Sequence, residues 1–470
     1  MLFSSFLFLF WFLPLTLALY FGLPLLLRRV FRGKIAILHA QNAVLFVMSL
    51  FFYAWGEPLY VLLMLCTVAA NFGAALWLQH TAHRRAVLLL AVLFNVGLLF
   101  YFKYAAFFMG LCGVFVALPR LPLGISFYTF QALSYVIDVY RGEVKATRDP
   151  LLFGTYVALF PQLIAGPIVR YTDVAAALTE RRHTLAAADR GTRRFIAGLA
   201  KKLLIANAAG ALFEELIAVE AGGLSTLGAW LSLVAFAIQI YFDFSGYSDM
   251  AVGLGLLFGF SFPENFNYPY TATSITDFWR RWHITLGSFF RTYVYFPLGG
   301  SRYGKKRLLL ALLTVWLLTG LWHGAALSFV LWGLYYFLLL AAEKLLLANV
   351  LPRVPRPLRH AGTLLAVLFG WLLFAFDGST AAKSGAALLR FAAALVGRGG
   401  NADNALYHFL RHLPFLAIAA LGATPLPRRC YSLLTKKLSL LLWLLPVAAL
   451  LLSFAYLAGA SYNPFLYFRF

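Results

Sequence analysis

Apolar runs long enough to cross a bilayer recur from one end of this 470-residue chain to the other. A helix needs about 20 such residues to span the hydrocarbon core, where every backbone polar group must be satisfied internally. The chain therefore reads as an all-α polytopic membrane protein of about 11–13 membrane segments, several short or broken. Charged residues make up only 12% of it, half of the roughly 25% expected of a soluble domain. No stretch is polar enough to form a separate soluble domain, so residues 1–470 read as one membrane domain. The first run, residues 6–27, has no basic residue before it and Arg28, Arg29, Arg32 and Lys34 after it. That order predicts a retained first helix with its N-terminus outside, not a cleaved signal.

The formal net charge is +22. The basic residues fall in short loops between apolar runs, where topology and anionic lipid headgroups account for them without nucleic acid. Cys66, Cys112 and Cys430 are widely separated, and no CxxC or Cys/His metal pattern is present. They read as small hydrophobes or loop thiols, and no metal site is expected.

Two segments depart from simple spans. Residues 151–169 are flanked by basic residues and interrupted by Pro161, Gly166 and Pro167. A re-entrant segment is expected there, and irregular backbone at membrane depth implies a protein-lined cavity. Residues 181–202 carry seven Lys/Arg among Leu185, Phe195, Ile196 and Leu199, the pattern of an amphipathic helix on the cytoplasmic surface.

Ionisable groups inside apolar runs are costly and are therefore functional candidates. Seven of the nine histidines lie in loops or near span ends; His283 and His323 do not. His323 sits in Gly-Leu-Trp-His-Gly-Ala-Ala, and the nearest charged residues are Arg307 before it and Glu343 after it. Two readings fit: a neutral imidazole bonded across a helix interface, or a general base able to take a proton from a hydroxyl and return it to a leaving group. His283 sits in Thr-Asp-Phe-Trp-Arg-Arg-Trp-His-Ile-Thr. Arg280 and Arg281, with Trp279 and Trp282, fit either an interfacial aromatic belt or a binding site for a phosphate-rich ligand. Asp243, Ser245, Ser248 and Asp249 punctuate an apolar run around Gly246, a residue that can break a helix. Asp243 is expected to pair with an arginine such as Arg280, to orient His283, or only to tie helices together. No P-loop, dinucleotide fingerprint, HExxH or GxSxG elbow is present.

The run YFDFSGYSDMAVGLGLLFGFSFPENFNYPYTATSITDFWRRWHITLGSFFRTYVYFPLGG, followed by LTGLWHGA, resembles the membrane-bound O-acyltransferase (MBOAT) superfamily. With LPLGISFYTFQALSYVIDVYRG and FPQLIAGPIVRY upstream, it is most similar to the bacterial branch that contains the membrane subunit of alginate O-acetyltransferase. The resemblance implies tilted, partly re-entrant helices in a ring around a central tunnel. It implies a catalytic His323, with His283 at the second motif position, and acetyl-CoA as a co-substrate with no bound cofactor. Arg280, Arg281, Trp279 and Trp282 would help hold the donor; the resemblance does not identify the oxyanion stabiliser, for which backbone amides and a tryptophan N–H near Trp322 both stay open. It further implies the bacterial inner membrane and an extracytoplasmic transferase or esterase-like partner that delivers acetyl to an exported or cell-wall polysaccharide. The tail at residues 463–470 resembles the branch's terminal aromatic–tyrosine motif; Tyr467 is either an acyl relay or an interfacial anchor.

Two active rivals stay open at this point, beside an inactive scaffold, against which the presence of both His283 and His323 argues. In one, the acyl donor is carried on a protein, as in D-alanyl transfer. In the other, His323, Asp243 and Arg280 line the path of a transporter or flippase, although no internal repeat is visible.

Overall fold

The computed structural model describes residues 1–27, 34–114, 116, 119–164, 166–219, 223–459, 463 and 464. These residues contain helices and turns and no strand. Among the described residues, ten helices are long and apolar enough to cross a membrane by length and composition. Contacts divide the chain into two compact groups, residues 1–199 with 247–263, and residues 200–246 with 264–470.

The first group contains α1 (Leu13–Leu27), α2 (Lys34–Ala54), α3 (Tyr60–His80), α4 (Arg84–Leu99), α5 (Ala105–Leu111) and α6 (Ile125–Arg141). It continues through α7 (Pro150–Ala158), α8 (Phe160–Leu163), α9 (Tyr171–Glu180) and α10 (Leu185–Ala200). The break expected within residues 151–169 falls between α7 and α8, at Leu159, and Pro161 opens the second of these short helices. Both helices are buried almost throughout. Asp149 caps α7 by accepting from the amides of Leu151 and Leu152, with Pro150 at the first helical position. Along α10 the apolar face (Phe195, Ile196, Leu199) is buried, and Arg194 pairs with Asp249 at 2.6 Å.

The second group contains α11 (Asn207–Ile217), α12 (Thr226–Leu257) as far as Gly246, α13 (Ile275–Arg281), α14 (Ile284–Phe290), α15 (Gly304–His323) and α16 (Leu327–Leu345). After these come α17 (Arg356–Ala375), α18 (Gly385–Leu395), α19 (Ala405–Gly422), α20 (Leu426–Lys437) and α21 (Leu441–Gly459). Helix α12 runs unbroken through Gly246 for 32 residues, about 48 Å at 1.5 Å per residue. The flanking aromatic and aliphatic side chains outweigh the roughly 1 kcal/mol propensity cost of one glycine.

The core of this group is aromatic, with Trp282, Trp332, Tyr336, Trp371 and Phe374 among its buried members. Helices α15 and α16 form its tightest pair, joined by only Gly324, Ala325 and Ala326. A Cβ on Gly320 would lie 2.3 Å from the Phe329 carbonyl oxygen, and one on Gly333 would lie 2.4 Å from that of Trp316. Backbone meets backbone there, which only glycine permits.

Candidate active site

His323 is the last residue of α15 and is 3% exposed. Between Arg307 and His323 lie 16 residue steps, about 24 Å of helix rise. The imidazole is thus at the tip of the α15–α16 hairpin, far along the hairpin from its basic ends at Lys305–Arg307 and Lys344. Gly324 follows in extended backbone, and a Cβ there would collide with the Phe329 ring at 2.3 Å. The His323 ring meets Trp332 at 5.1 Å and Phe374 at 5.0 Å, both edge-on, and Trp322 at 4.9 Å. Trp332 Nε1 is buried and has no hydrogen-bond acceptor among the described residues. An indole N–H without an acceptor in a closed aromatic box is costly unless a ligand completes it.

Trp322 also packs 5.5 Å from the His283 ring, so one indole lies against both histidines. His283 is 2% exposed and joins α13 to α14 in the left-handed conformation, φ 44° and ψ 54°. A non-glycine residue there stores strain that its surroundings must hold. Asn265 supplies the restraint. Its carbonyl oxygen accepts from Ile284 N–H at 3.0 Å, while its Oδ1 lies 3.0 Å from His283 Nδ1. Oδ1 also accepts from the Thr285 hydroxyl at 2.9 Å and the Thr285 amide at 3.3 Å. An amide N–H can only donate, so the atom facing it is the Asn265 oxygen, and His283 Nδ1 must carry the proton. The His283 lone pair is therefore on Nε2, which is buried and without a partner among the described residues.

The rest of the Trp-Arg-Arg-Trp-His segment is held from α16. Glu343 accepts from the amides of Ile275 at 2.7 Å and Thr276 at 3.1 Å, the first turn of α13, and Ser274 caps the same turn through Asp277 N–H. A carboxylate at a helix N-terminus is favoured by both orphan amides and dipole. Trp282 is buried against Trp371 at 4.7 Å and Phe278 at 5.7 Å. Arg281 turns back to Asp277 at 2.9 Å. Arg280 is exposed and lines a cavity of about 560 Å³ with Arg291, Lys344, Trp279 and Trp316. Trp279 packs 4.6 Å from Trp316 and 5.5 Å from Trp332, so the aromatic wall of this cavity continues to the ring beside His323.

Asp243 departs from expectation. Its ion pair is with Lys202 at 2.8 Å, the two side chains being 1% and 2% exposed, rather than with Arg280, and the residue that orients His283 is Asn265. Lys202 was grouped by sequence with the interfacial basic residues; instead it is buried at a π-turn after α10 and also donates to Asn207 Oδ1 at 2.8 Å. The same ammonium donates to the Pro464 carbonyl, and Asn207 donates to Asn463 Oδ1 at 3.3 Å. The start of the C-terminal tail is thereby tied to a buried ion pair. Tyr467 lies outside the described residues.

Asn265, Glu343, Lys202 and Trp332 were not singled out from sequence. Asn265 acts on the ring of His283 and the amide of Thr285, and Glu343 on the amide of Ile275, all 18 or more residues away, which leaves no local pattern to read. Lys202 carried a usable signal, since two successive lysines followed by Leu-Leu-Ile-Ala put one of them next to an apolar face.

Residues 47–381 match the model of MBOAT, the membrane-bound O-acyltransferase family. The chain is 41% identical over 388 residues to a probable alginate O-acetylase AlgI of Pseudomonas aeruginosa, covering 80% of this chain and 72% of that one. It is 36% identical over 507 aligned positions to a probable alginate O-acetylase AlgI of Pseudomonas putida, covering all of both. It is also 35% identical over 380 residues to a peptidoglycan O-acetyltransferase of Helicobacter pylori, covering 73% of this chain and 70% of that one.

Proposed function

The chain belongs to the membrane-bound O-acyltransferase family, and from that premise we propose that it transfers acetyl groups from cytosolic acetyl-CoA for O-acetylation of an exported polysaccharide, alginate-like in the first instance. The observation that carries this reading is His323, buried at the tip of the α15–α16 hairpin beside an aromatic wall that continues from the Arg280 cavity. Arg280, Arg291 and Lys344 supply the positive charge that the phosphates of coenzyme A need. The apolar, tryptophan-lined interior suits the thioester arm.

In the reaction, His323 accepts the proton of an attacking hydroxyl as its oxygen bonds to the thioester carbonyl carbon. Collapse of that intermediate breaks the C–S bond, and the imidazolium returns the proton to the departing thiolate. Trp332 Nε1–H is a donor available to the oxyanion, because it is buried, lacks an acceptor among the described residues and belongs to a ring against His323. His283, with its lone pair on Nε2, accepts a hydrogen bond from the acceptor hydroxyl and aligns it. Tyr467 would receive the acetyl group as a phenyl ester, whose leaving group is better than an alkoxide. An extracytoplasmic transferase would then carry it to the glycan. The bacterial inner membrane is the compartment that places acetyl-CoA on one side and the glycan on the other.

The test uses purified protein in nanodiscs with acetyl-labelled acetyl-CoA. Thioester cleavage in wild type and its loss in His323→Ala are expected, with label on the chain lost in Tyr467→Phe. Cleavage undiminished in His323→Ala would sink the assignment of the base. Absence of cleavage in wild type, with turnover of a carrier-protein thioester, would replace coenzyme A as donor.

A further inference from the structure

We propose that a second cavity, bounded by α12, α17 and α19, binds one anionic glycerophospholipid from the cytoplasmic leaflet, with its phosphate at Arg356 and its acyl chain between the helices. The cavity measures about 960 Å³, at the upper end of the roughly 300–1,000 Å³ of small-molecule sites. It is separate from the histidine site. Tyr270, Val367 and Phe242 form its inner wall, and Tyr270 is tied into that wall by accepting from Trp371 Nε1 at 3.0 Å and donating to the Ala237 carbonyl at 2.6 Å.

The lining is segregated. Its body is aliphatic and aromatic, with Leu364, Leu368, Phe409 and Leu416. Among its polar members, Arg356 and His360 lie at the start of α17, Thr271 and Thr273 flank Ala272, and Thr424 follows the end of α19. His360 Nδ1 donates to the Ala272 carbonyl at 2.9 Å and fixes this end. Arg356 has no carboxylate partner among the described residues. It opens α17 just after Pro355; Pro357 has no N–H and the Arg359 amide donates to the Pro355 carbonyl at 3.1 Å, so the first-turn amides left for a ligand are those of Arg356 and Leu358, at the positive end of the helix dipole. Arg353 and Arg359 flank it in sequence, which marks this end as cytoplasmic.

Helix α19 leaves the space open. Its buried residues are Ala405 and Ala419, it carries Pro414 internally, and Leu406, Leu410, Leu413 and Ile418 are exposed. A dry apolar volume of this size would forfeit the dispersion contacts of every wall atom. Water finds too few polar partners along the body to replace them. A chain from the surrounding bilayer fills the body, and the basic mouth selects an anionic headgroup. This site does not depend on the acyl-transfer reading.

The delipidated protein is titrated in detergent with phosphatidylglycerol carrying an acyl-chain diazirine, then with its phosphatidylethanolamine counterpart, and labelled peptides are mapped. Label should concentrate in peptides holding residues 364–368 and 409–420, saturating at about one lipid per chain. Phosphatidylglycerol should be preferred about fivefold, the size expected of one basic residue at an anionic lipid. Arg356→Gln should erase the preference and Arg356→Lys should keep it, while Leu416→Trp should remove the label from these peptides alone. Label spread evenly over all lipid-facing helices of the unaltered chain would overturn the proposal without recourse to any variant. Equal labelling by the two lipids in wild type would overturn the headgroup assignment.

Discussion

Asn265 Oδ1 lies 3.0 Å from His283 Nδ1, and because the same oxygen accepts from the Thr285 amide it fixes the proton on Nδ1. Asn265 acts here as a positioning residue, since it sets which ring nitrogen can accept from a substrate. Asn265→Leu should lower kcat about 10- to 100-fold, equal to roughly 1.4–2.7 kcal/mol. Asn265→Asp, which retains an acceptor oxygen, should recover most of the loss. Nitrogen NMR of labelled His283 should show the Nδ1–H tautomer in wild type and a mixture in Asn265→Leu. A single unchanged tautomer in both proteins would refute the role.

The left-handed backbone of His283 makes a separate prediction. Asparagine tolerates that conformation and a β-branched residue does not. His283→Asn should fold with little loss of thermal stability while losing activity. His283→Val should cost a further ~1–3 kcal/mol through strain, read as a lower midpoint in detergent melts. Equal midpoints for the two variants would argue that the loop relaxes freely.

At the α15–α16 contact, Gly320→Ala places a methyl 2.3 Å from the Phe329 carbonyl oxygen. The helices must separate, and His323 moves with the end of α15. Activity should fall by about 100-fold or more, since a displacement of about 1 Å suffices for that. Gly362→Ala on α17 meets nothing within 4 Å and serves as the control. Retained turnover in Gly320→Ala would show that the close approach does not position the imidazole.

Lys202→Met removes the buried ammonium that pairs with Asp243 at 2.8 Å. It should destabilise the protein by about 3–5 kcal/mol, whereas Lys202→Met with Asp243→Leu should recover much of that. The double variant should still expose the C-terminus to carboxypeptidase, because Lys202 also holds the Pro464 carbonyl. Trimming at the wild-type rate would mean that other contacts secure the tail.

Trp332→Phe keeps the aromatic contact with His323 and removes the N–H. If that donor serves the oxyanion, kcat should drop about 100- to 1,000-fold with little change in KM. A rise in KM at constant kcat would assign the indole to ground-state binding instead.

The helical membrane class, the broken α7–α8 segment and the two buried histidines are legible in the sequence. Each rests on local information: run length, proline position, and a titratable residue amid apolar neighbours. The partner of Asp243 was not legible. An arginine and a lysine satisfy a carboxylate equally well in a sequence, and only packing shows that the nearby cation is Lys202, brought in by a π-turn.

By itself the sequence determined what the bilayer demands, because hydrophobic length and charge distribution act residue by residue along the chain. It also determined the family, because the motifs around His283 and His323 keep their order. The tertiary structure alone decided which nitrogen of His283 is free, which indole borders both histidines, and where the cavities lie. Those depend on hydrogen bonds and ring contacts between residues distant in the chain, and such contacts exist only once the helices have packed.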